Sequence, residues 1–151
     1  MLYPAAANKE ADMGNPFVHV ELSTSDLKAA KKFYRGLFDW KLEDMKMGPG
    51  VTYTMISAGK GTAGGMMQKP MPDAPTQWLS YVQVDDLGKT MAKAKKLGAT
   101  PIVENQEVMG QGAFGIIVDP TGAMIGLWEP RRRAPARKPA APKKKAAAKK
   151  R

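Results

Sequence analysis

Shifted by sixty residues, the chain falls on itself without gaps, and a duplication of this size limits the fold more than any other feature. Ser25-Asp26-Leu27 meets Asp85-Asp86-Leu87. Tyr34 meets Ala94, Leu37 meets Leu97, Ala63 meets Ala123 and Pro70 meets Pro130. Gly61-Thr62 falls on Thr121-Gly122, a small turn-like pair before the last segment of each copy. Identity between the copies is low, but the order of elements also repeats.

In the first copy, Phe17 to Leu22 alternates as a strand with two different faces does. Thr24 or Ser25 is placed to cap a helix reaching about Phe38, with Leu27, Ala30, Phe33, Tyr34 and Leu37 on one face. Strands are predicted over Lys41–Met45, Val51–Ser57 and Ala63–Gln68. The second copy repeats this: strand Trp78–Val84, helix Leu87–Lys96 stopped by Gly98, then strands Pro101–Glu104, Ala113–Val118 and Ala123–Trp128. Asp119-Pro120-Thr121-Gly122 has the composition of a tight turn.

The expected fold class is therefore α+β: two βαβββ modules in tandem, forming a curved mixed-sheet cup, followed by a disordered basic C-terminal tail. The domain reading is an N-terminal arm over 1–14, one domain over 15–130 with modules at about 15–70 and 75–130, and the tail over 131–151. Each helix covers the outer face of its sheet, which leaves a concave inner face for a ligand or another layer.

Composition narrows the function. With no cysteine there are no disulfides, thiolate metal sites or cysteine nucleophiles. No run of 18 apolar residues spans a membrane, and the first ten residues lack a basic stretch followed by an apolar one; the cytoplasm is the expected location. The net charge of +10 is unevenly spread. Residues 131–151 hold 11 Lys and Arg with no acid, leaving 13 bases against all 14 acids and a net of −1 for residues 1–130.

The order of elements, the repeat, and the pieces His19-Val20-Glu21-Leu22, Asp26-Leu27, Phe33-Tyr34, Leu37-Phe38-Asp39-Trp40 and Val118-Asp119-Pro120-Thr121-Gly122 resemble the vicinal oxygen chelate superfamily. That group contains glyoxalase I, extradiol dioxygenases and bleomycin-resistance proteins. The resemblance covers residues 15–130 and implies, in metal-dependent members, ligands from the first and last strand of each module. Carried onto this sequence, those positions fall on His19, Leu79, Met66 and Gly126. Only His19 is a ligand for Zn, Fe, Ni or Mn, so the resemblance implies that the usual metal site is lost and that no metal or other cofactor is needed.

His19 is the sole histidine, and a period of two puts Glu21 on its face. The pair is the candidate for general acid/base work or for holding a polar substrate; a polar pair that merely lines the cup, or a metal site completed by Gln83, are the alternatives. The same parity turns Tyr81, Gln83, Met124 and Trp128 into the cup, with Gln68 equivalent to Trp128. The opposite parity, Val18, Val20, Leu22, Val82, Val84, Ile125 and Leu127, is expected under the helices. Aromatic, methionine and amide groups around a concavity suit a flat organic ligand, although packing across a module or dimer interface would use the same residues. Met45 and Met47, near a turn, receive no role.

Two classes of function remain for the body: a small-molecule binder of the bleomycin-resistance kind, or a lyase, isomerase or dioxygenase of the glyoxalase kind. A homodimer is expected, because the modules expose edges and concave faces that symmetric pairing would cover. In the tail, Arg131, Arg132, Arg133, Arg137, Lys138, Lys143, Lys144, Lys145, Lys149, Lys150 and Arg151 are spaced only by Ala and Pro. Such a polycation is expected to contact nucleic acid nonspecifically by counterion release, which makes the body a platform for that tail in a third reading.

Overall fold

A computed structural model describes residues 14–131. The elements run β1 (Phe17–Thr24), α1 (Leu27–Leu37), β2 (Lys41–Gly48), β3 (Val51–Ser57), β4 (Ala63–Gln68), β5 (Gln77–Gln83), α2 (Leu87–Lys96), β6 (Thr100–Val108), β7 (Gly112–Val118) and β8 (Met124–Pro130). The βαβββ order occurs twice, as the repeat requires. The strands form one mixed eight-stranded sheet in the order β2-β3-β4-β1-β5-β8-β7-β6. The modules join where β1 pairs antiparallel with β5, while each first strand pairs parallel with the last strand of its own module.

Both helices start on an aspartate sixty residues apart. Asp26 accepts from the Ala29 N–H and Asp86 from the Lys89 N–H, each at 2.9 Å, so these aspartates take the capping role expected of Thr24 or Ser25. Leu97 caps α2 and Gly98 follows at φ 96°, a conformation that ends the helix cheaply only with glycine. In the 119–122 turn, Asp119 Oδ1 accepts from the Thr121 N–H, the Thr121 hydroxyl and the Ala123 N–H, which holds its carboxyl below the usual range.

The outer face of the sheet carries two cores. Under α2, Val84, Leu87, Met91, Ile117 and Leu127 are buried; under α1, Leu22, Ile56 and Met66 are buried with Tyr34, Trp40 and Leu42 beside them. Each such side chain contributes roughly 1.5–3 kcal/mol by leaving water. Val18 departs from the expected outer parity. The β1–β5 pairing slips between Phe17 and His19, and Val18 joins Leu79, Tyr81 and Trp128 in a third cluster on the inner side.

The repeat is not gapless. Glu21 lies opposite Gly65 in β4, and Tyr81 lies opposite Gly126 in β8. The offset of sixty between β1 and β5 has thus become sixty-one between β4 and β8. Tyr53 pairs with Met67 and Phe114 with Trp128, which gives the same offset between β3 and β7. The surplus is absorbed in β6, whose register against β7 slips twice between Pro101 and Gln106. Because strand faces alternate, a slip of one residue changes the face. The counterpart of Gly126 is Gly65, not Met66, and the counterpart of Trp128 is Met67, not Gln68.

Candidate functional site

The inner face encloses an open cavity of about 200 Å³. Its walls come from both modules: Met45, Met47, Val51, Thr52, Tyr53, Met55 and Met67 from β2, β3 and β4, and Tyr81, Val108, Gln111, Phe114 and Trp128 from the second module. His19 and Glu21 of β1 form the seam between them. Strand pairing explains the methionine wall. Met45 lies opposite Tyr53, and Tyr53 opposite Met67, so one row of inward side chains crosses three strands. Tyr81, Phe114 and Trp128 face them, with the Tyr81 and Phe114 rings edge to face at 6.0 Å.

A polar network sits at the seam. The Tyr53 hydroxyl donates to Glu21 Oε2 at 2.8 Å, and His19 Nε2 lies 2.7 Å from the same hydroxyl oxygen. A phenol has one proton to give, and Glu21 receives it, so His19 carries its own proton on Nε2 and donates to Tyr53. The Tyr81 hydroxyl donates to Glu21 Oε1 at 3.4 Å. His19 is 4% exposed, and burial lowers its pKa to about 4; the imidazole is neutral at pH 7. Burial pushes the Glu21 carboxyl up from the ordinary range, opposed by the hydrogen bonds from Tyr53 and Tyr81. The 3.9 Å approach of His19 to Glu21 is therefore a contact across the phenol rather than an ion pair at neutral pH.

Two glycines make room for the phenols. A Cβ on Gly65 would run into the Tyr53 ring and hydroxyl, and one on Gly126 into the Tyr81 ring. Each tyrosine thus fills the space that a side chain from its module's last strand would take.

Of the residues singled out in the sequence, His19, Glu21, Tyr81 and Trp128 come together in this cavity. Met124 packs on the inner cluster, with its sulfur 3.2 Å from Gln77 Nε2, but does not line the cavity. Gln83 lies two residues beyond Tyr81, where its N–H donates to Pro16 and its carbonyl accepts from Asn15. Gln68 sits at the start of α1, bound to the Ser25 carbonyl at 2.6 Å and the Leu27 N–H at 3.4 Å. Arg131 is exposed beside the 110–111 turn, its N–H donating to the Gln111 carbonyl. The other ten tail residues, Arg132 through Arg151, lie outside the described residues. Tyr53, Met45, Met47, Met55, Met67 and Phe114 were not foreseen. The alternation Val51-Thr52-Tyr53-Thr54-Met55, with Thr54 fully buried on the other face, is the signal that marks two of them, Tyr53 and Met55.

The glyoxalase/bleomycin resistance protein/dioxygenase superfamily profile matches residues 17–127, most of the chain. The chain belongs to this superfamily. It is 34% identical over 110 residues to "Putative glyoxylase CFP32" of Mycobacterium tuberculosis, an alignment covering 73% of this chain and 42% of that protein. It is 27% identical over 122 residues to "Anthracycline biosynthesis protein DnrV" of Streptomyces peucetius, covering 72% of this chain and 44% of that one. The chain thus spans less than half the length of these relatives. Among solved structures, methylmalonyl-CoA epimerase from Mycobacterium tuberculosis superposes with a TM-score of 0.58 at 17% identity, over 77% of this chain and 88% of that one. Hypothetical protein BH1468 from Bacillus halodurans reaches 0.62 at 15%, over 81% and 99%. These two likenesses concern the fold alone.

The residues here do not fit the superfamily's metal centre. The four positions that the resemblance assigns to ligands hold His19, Leu79, Gly65 and Gly126 once the register is corrected. The space above both glycines is filled by phenol rings, and Glu21 is engaged by two hydroxyls. A site of three protein ligands with an open position cannot be assembled from one imidazole and one phenol-bound carboxylate. Among the described residues, no group of three or more His, Cys, Asp or Glu gathers elsewhere. Nor is any described helix long and apolar enough to cross a membrane.

Proposed function

We propose that the cup binds a small, flat, largely apolar organic molecule, held between the methionine wall and the Tyr81–Phe114–Trp128 wall, and that one polar substituent of it meets the His19–Tyr53–Glu21 network. The observation carrying this reading is a mostly apolar cavity with its few polar groups converging at one end, the usual build of a small-molecule site. Methionines adapt to the ligand outline and rigid rings stack on it. The name of DnrV, a protein of anthracycline biosynthesis, supports a fused-ring class of ligand.

A hydroxylated anthraquinone and a perhydro analogue of equal size, titrated calorimetrically into the purified protein, test this. Micromolar binding of the anthraquinone alone is expected; equal or absent binding of both rejects it.

A second reading, proton transfer without a metal, is supported by the phenol held between a neutral imidazole and a carboxyl with a raised pKa. It predicts that solvent deuterium enters an enolisable aryl ketone in the presence of the protein, and that Glu21→Gln abolishes this. A catalyst of this kind would be a lyase or isomerase rather than a dioxygenase.

Two further proposals concern partners. The chain works as a homodimer, and its basic tail anchors it to nucleic acid without reading sequence. Full engagement of eleven charges would give a slope near −10 in log K against log salt, so partial engagement gives roughly −4 to −8 per chain. A form ending at Pro130 that binds duplex DNA as tightly as the full chain would eliminate the anchor.

A further inference from the structure

The two helices offer an internal control, because the same fold needs the same things of each. α2 buries Leu87 and Met91, whereas no residue of α1 is buried. On α1 the residues Ala29, Phe33, Gly36 and Leu37, spaced 4, 3 and 1 apart, form one stripe along the helix, and all four are exposed. Phe33 and Leu37 are 60% and 55% exposed. Sixty residues on, the same stripe of α2 reads Lys89, Lys93, Lys96 and Leu97. The module therefore folds with lysines there, and the apolar stripe of α1 is not a requirement of its own core.

The stripe is continuous with more aromatic surface. The Phe33 ring meets Tyr34 edge to face at 5.0 Å, and Tyr34 in turn contacts Phe38 and Trp78. Phe38 and Trp78 are 44% and 37% exposed. The counterparts of Phe33, Tyr34 and Phe38 in the second module are Lys93, Ala94 and Gly98. With about 150–250 Å² per aromatic side chain, Phe33, Phe38 and Trp78 expose on the order of 300 Å² per copy. That matches the apolar centre of a standard interface of about 800 Å² per partner, leaving the rest to a polar rim.

We infer that this α1 face docks onto the α1 face of a second copy across a two-fold axis. The inference rests on the homodimer proposed above and names its surface. Charge selects the occupant. A two-fold contact sets a patch against itself, so the α2 stripe would oppose lysine with lysine, while the α1 stripe carries no charge. The basic residues of α1, Lys28, Lys32 and Arg35, have the same spacing but lie on a separate stripe that would form the rim. Shape agrees with charge. Gly36 and Ala29 carry little or no side chain, and a Cβ on Gly36 would meet nothing within 4 Å, so nothing of this chain blocks close approach of the partner's Phe33 and Leu37 there.

The test is sedimentation of the full chain beside a double variant, Ala29→Lys with Phe33→Lys, that copies the lysines of α2. Wild type is expected to sediment as a dimer, and the variant as a monomer with a dissociation constant raised at least tenfold. The variant should keep its folded circular dichroism spectrum and its anthraquinone affinity, and its melting should fall only by the stability that dimerisation supplied. Because the chain has no cysteine, Gly36→Cys with a short bismaleimide gives a second readout that does not need the double variant to fold. A cross-linked dimer is expected there and none from Lys93→Cys. A monomeric wild type at the highest attainable concentration refutes the homodimer and this face together. A dimer that survives in the folded double variant, or the absence of a Gly36→Cys cross-link from a dimeric protein, refutes the α1 face and leaves the homodimer standing.

Discussion

The first module presents the cavity with an imidazole, a carboxyl, the Tyr53 hydroxyl and four methionines, whereas the second presents mainly Tyr81, Phe114 and Trp128. Equivalent positions make the contrast concrete: His19 against Leu79 in the first strands, Tyr53 against Phe114 in the third, and Met67 against Trp128 in the last. On the outer face the inequality runs the other way, since α2 is anchored by buried Leu87 and Met91 and α1 by half-buried Leu27, Ala30 and Tyr34. One module has thus kept a firm core and an apolar wall, while its copy has kept the polar chemistry and a lightly anchored helix. Duplication separates what the fold demands, which both copies satisfy, from what a site adds, which only one copy carries.

Unequal anchoring should appear first in stability. Leu87→Ala removes a side chain 1% exposed from the core under α2 and should cost about 2–5 kcal/mol in urea unfolding. Leu27→Ala, at the same helix position in the first module, should cost about 1 kcal/mol, because that leucine is only partly buried. Equal costs would mean that the helices are anchored alike.

His19, which the second module replaces by leucine, should give a slope of stability with pH. Burial holds its folded pKa at about 4, below the ordinary value of 6.5, so between those values the unfolded chain binds the extra proton. Stability contributed by the neutral imidazole is complete above pH 6.5 and is lost as pH falls towards 4, to the extent of roughly 3 kcal/mol. Glu21 acts in the opposite sense: its raised pKa contributes stability that is present below 4.5 and lost as pH rises through the folded value. The difference between wild type and His19→Gln, followed from pH 4 to 7, isolates the imidazole. Parallel curves would show that His19 titrates normally in the folded protein.

The paired glycines sharpen the comparison further. Gly65→Ala pushes on Tyr53 and Gly126→Ala on Tyr81, and each should cost about 1–3 kcal/mol as an overpacked site. Gly65→Ala should also disturb the His19 Nε2–H signal in a proton spectrum more than Gly126→Ala does, since Tyr53 is hydrogen-bonded to the imidazole whereas Tyr81 meets it edge to face at 5.9 Å. The same disturbance from both variants would mean that the two halves of the network are not separable.

Much of this fold was legible because the strands alternate cleanly and both helices begin on an aspartate at equal spacing. His19, Glu21, Tyr81 and Trp128 followed from period two, since β1 and β5 keep the offset of sixty and Trp128 has the inward parity of β8. In the methionine wall, Met67 was hidden by a single extra residue. With the offset held at sixty, Gln68 takes the place of Met67 and Met66 that of Gly65, and each exchange moves a side chain through the sheet. The slip lies in the bulged pairing of β6, where Pro101 and the polar run Glu104 to Glu107 give no steady alternation to follow. Gln83 and Met124 were misplaced for a different reason. Parity assigns a face, but not the distance along a strand at which the cup ends, and Gln83 lies where Asn15 and Pro16 cross the end of β5.

At Tyr53 the chemistry of the two modules diverges: its hydroxyl touches both His19 and Glu21, and the second module has Phe114 in its place. Tyr53→Phe makes the two modules alike at that position while keeping the ring that fills the space above Gly65. Calorimetric titration of this variant with the hydroxylated anthraquinone should show about tenfold weaker binding than wild type, close to 1.4 kcal/mol, carried by a loss of favourable enthalpy. Unchanged affinity and enthalpy would contradict the claim that the polar network of the first module reads the ligand.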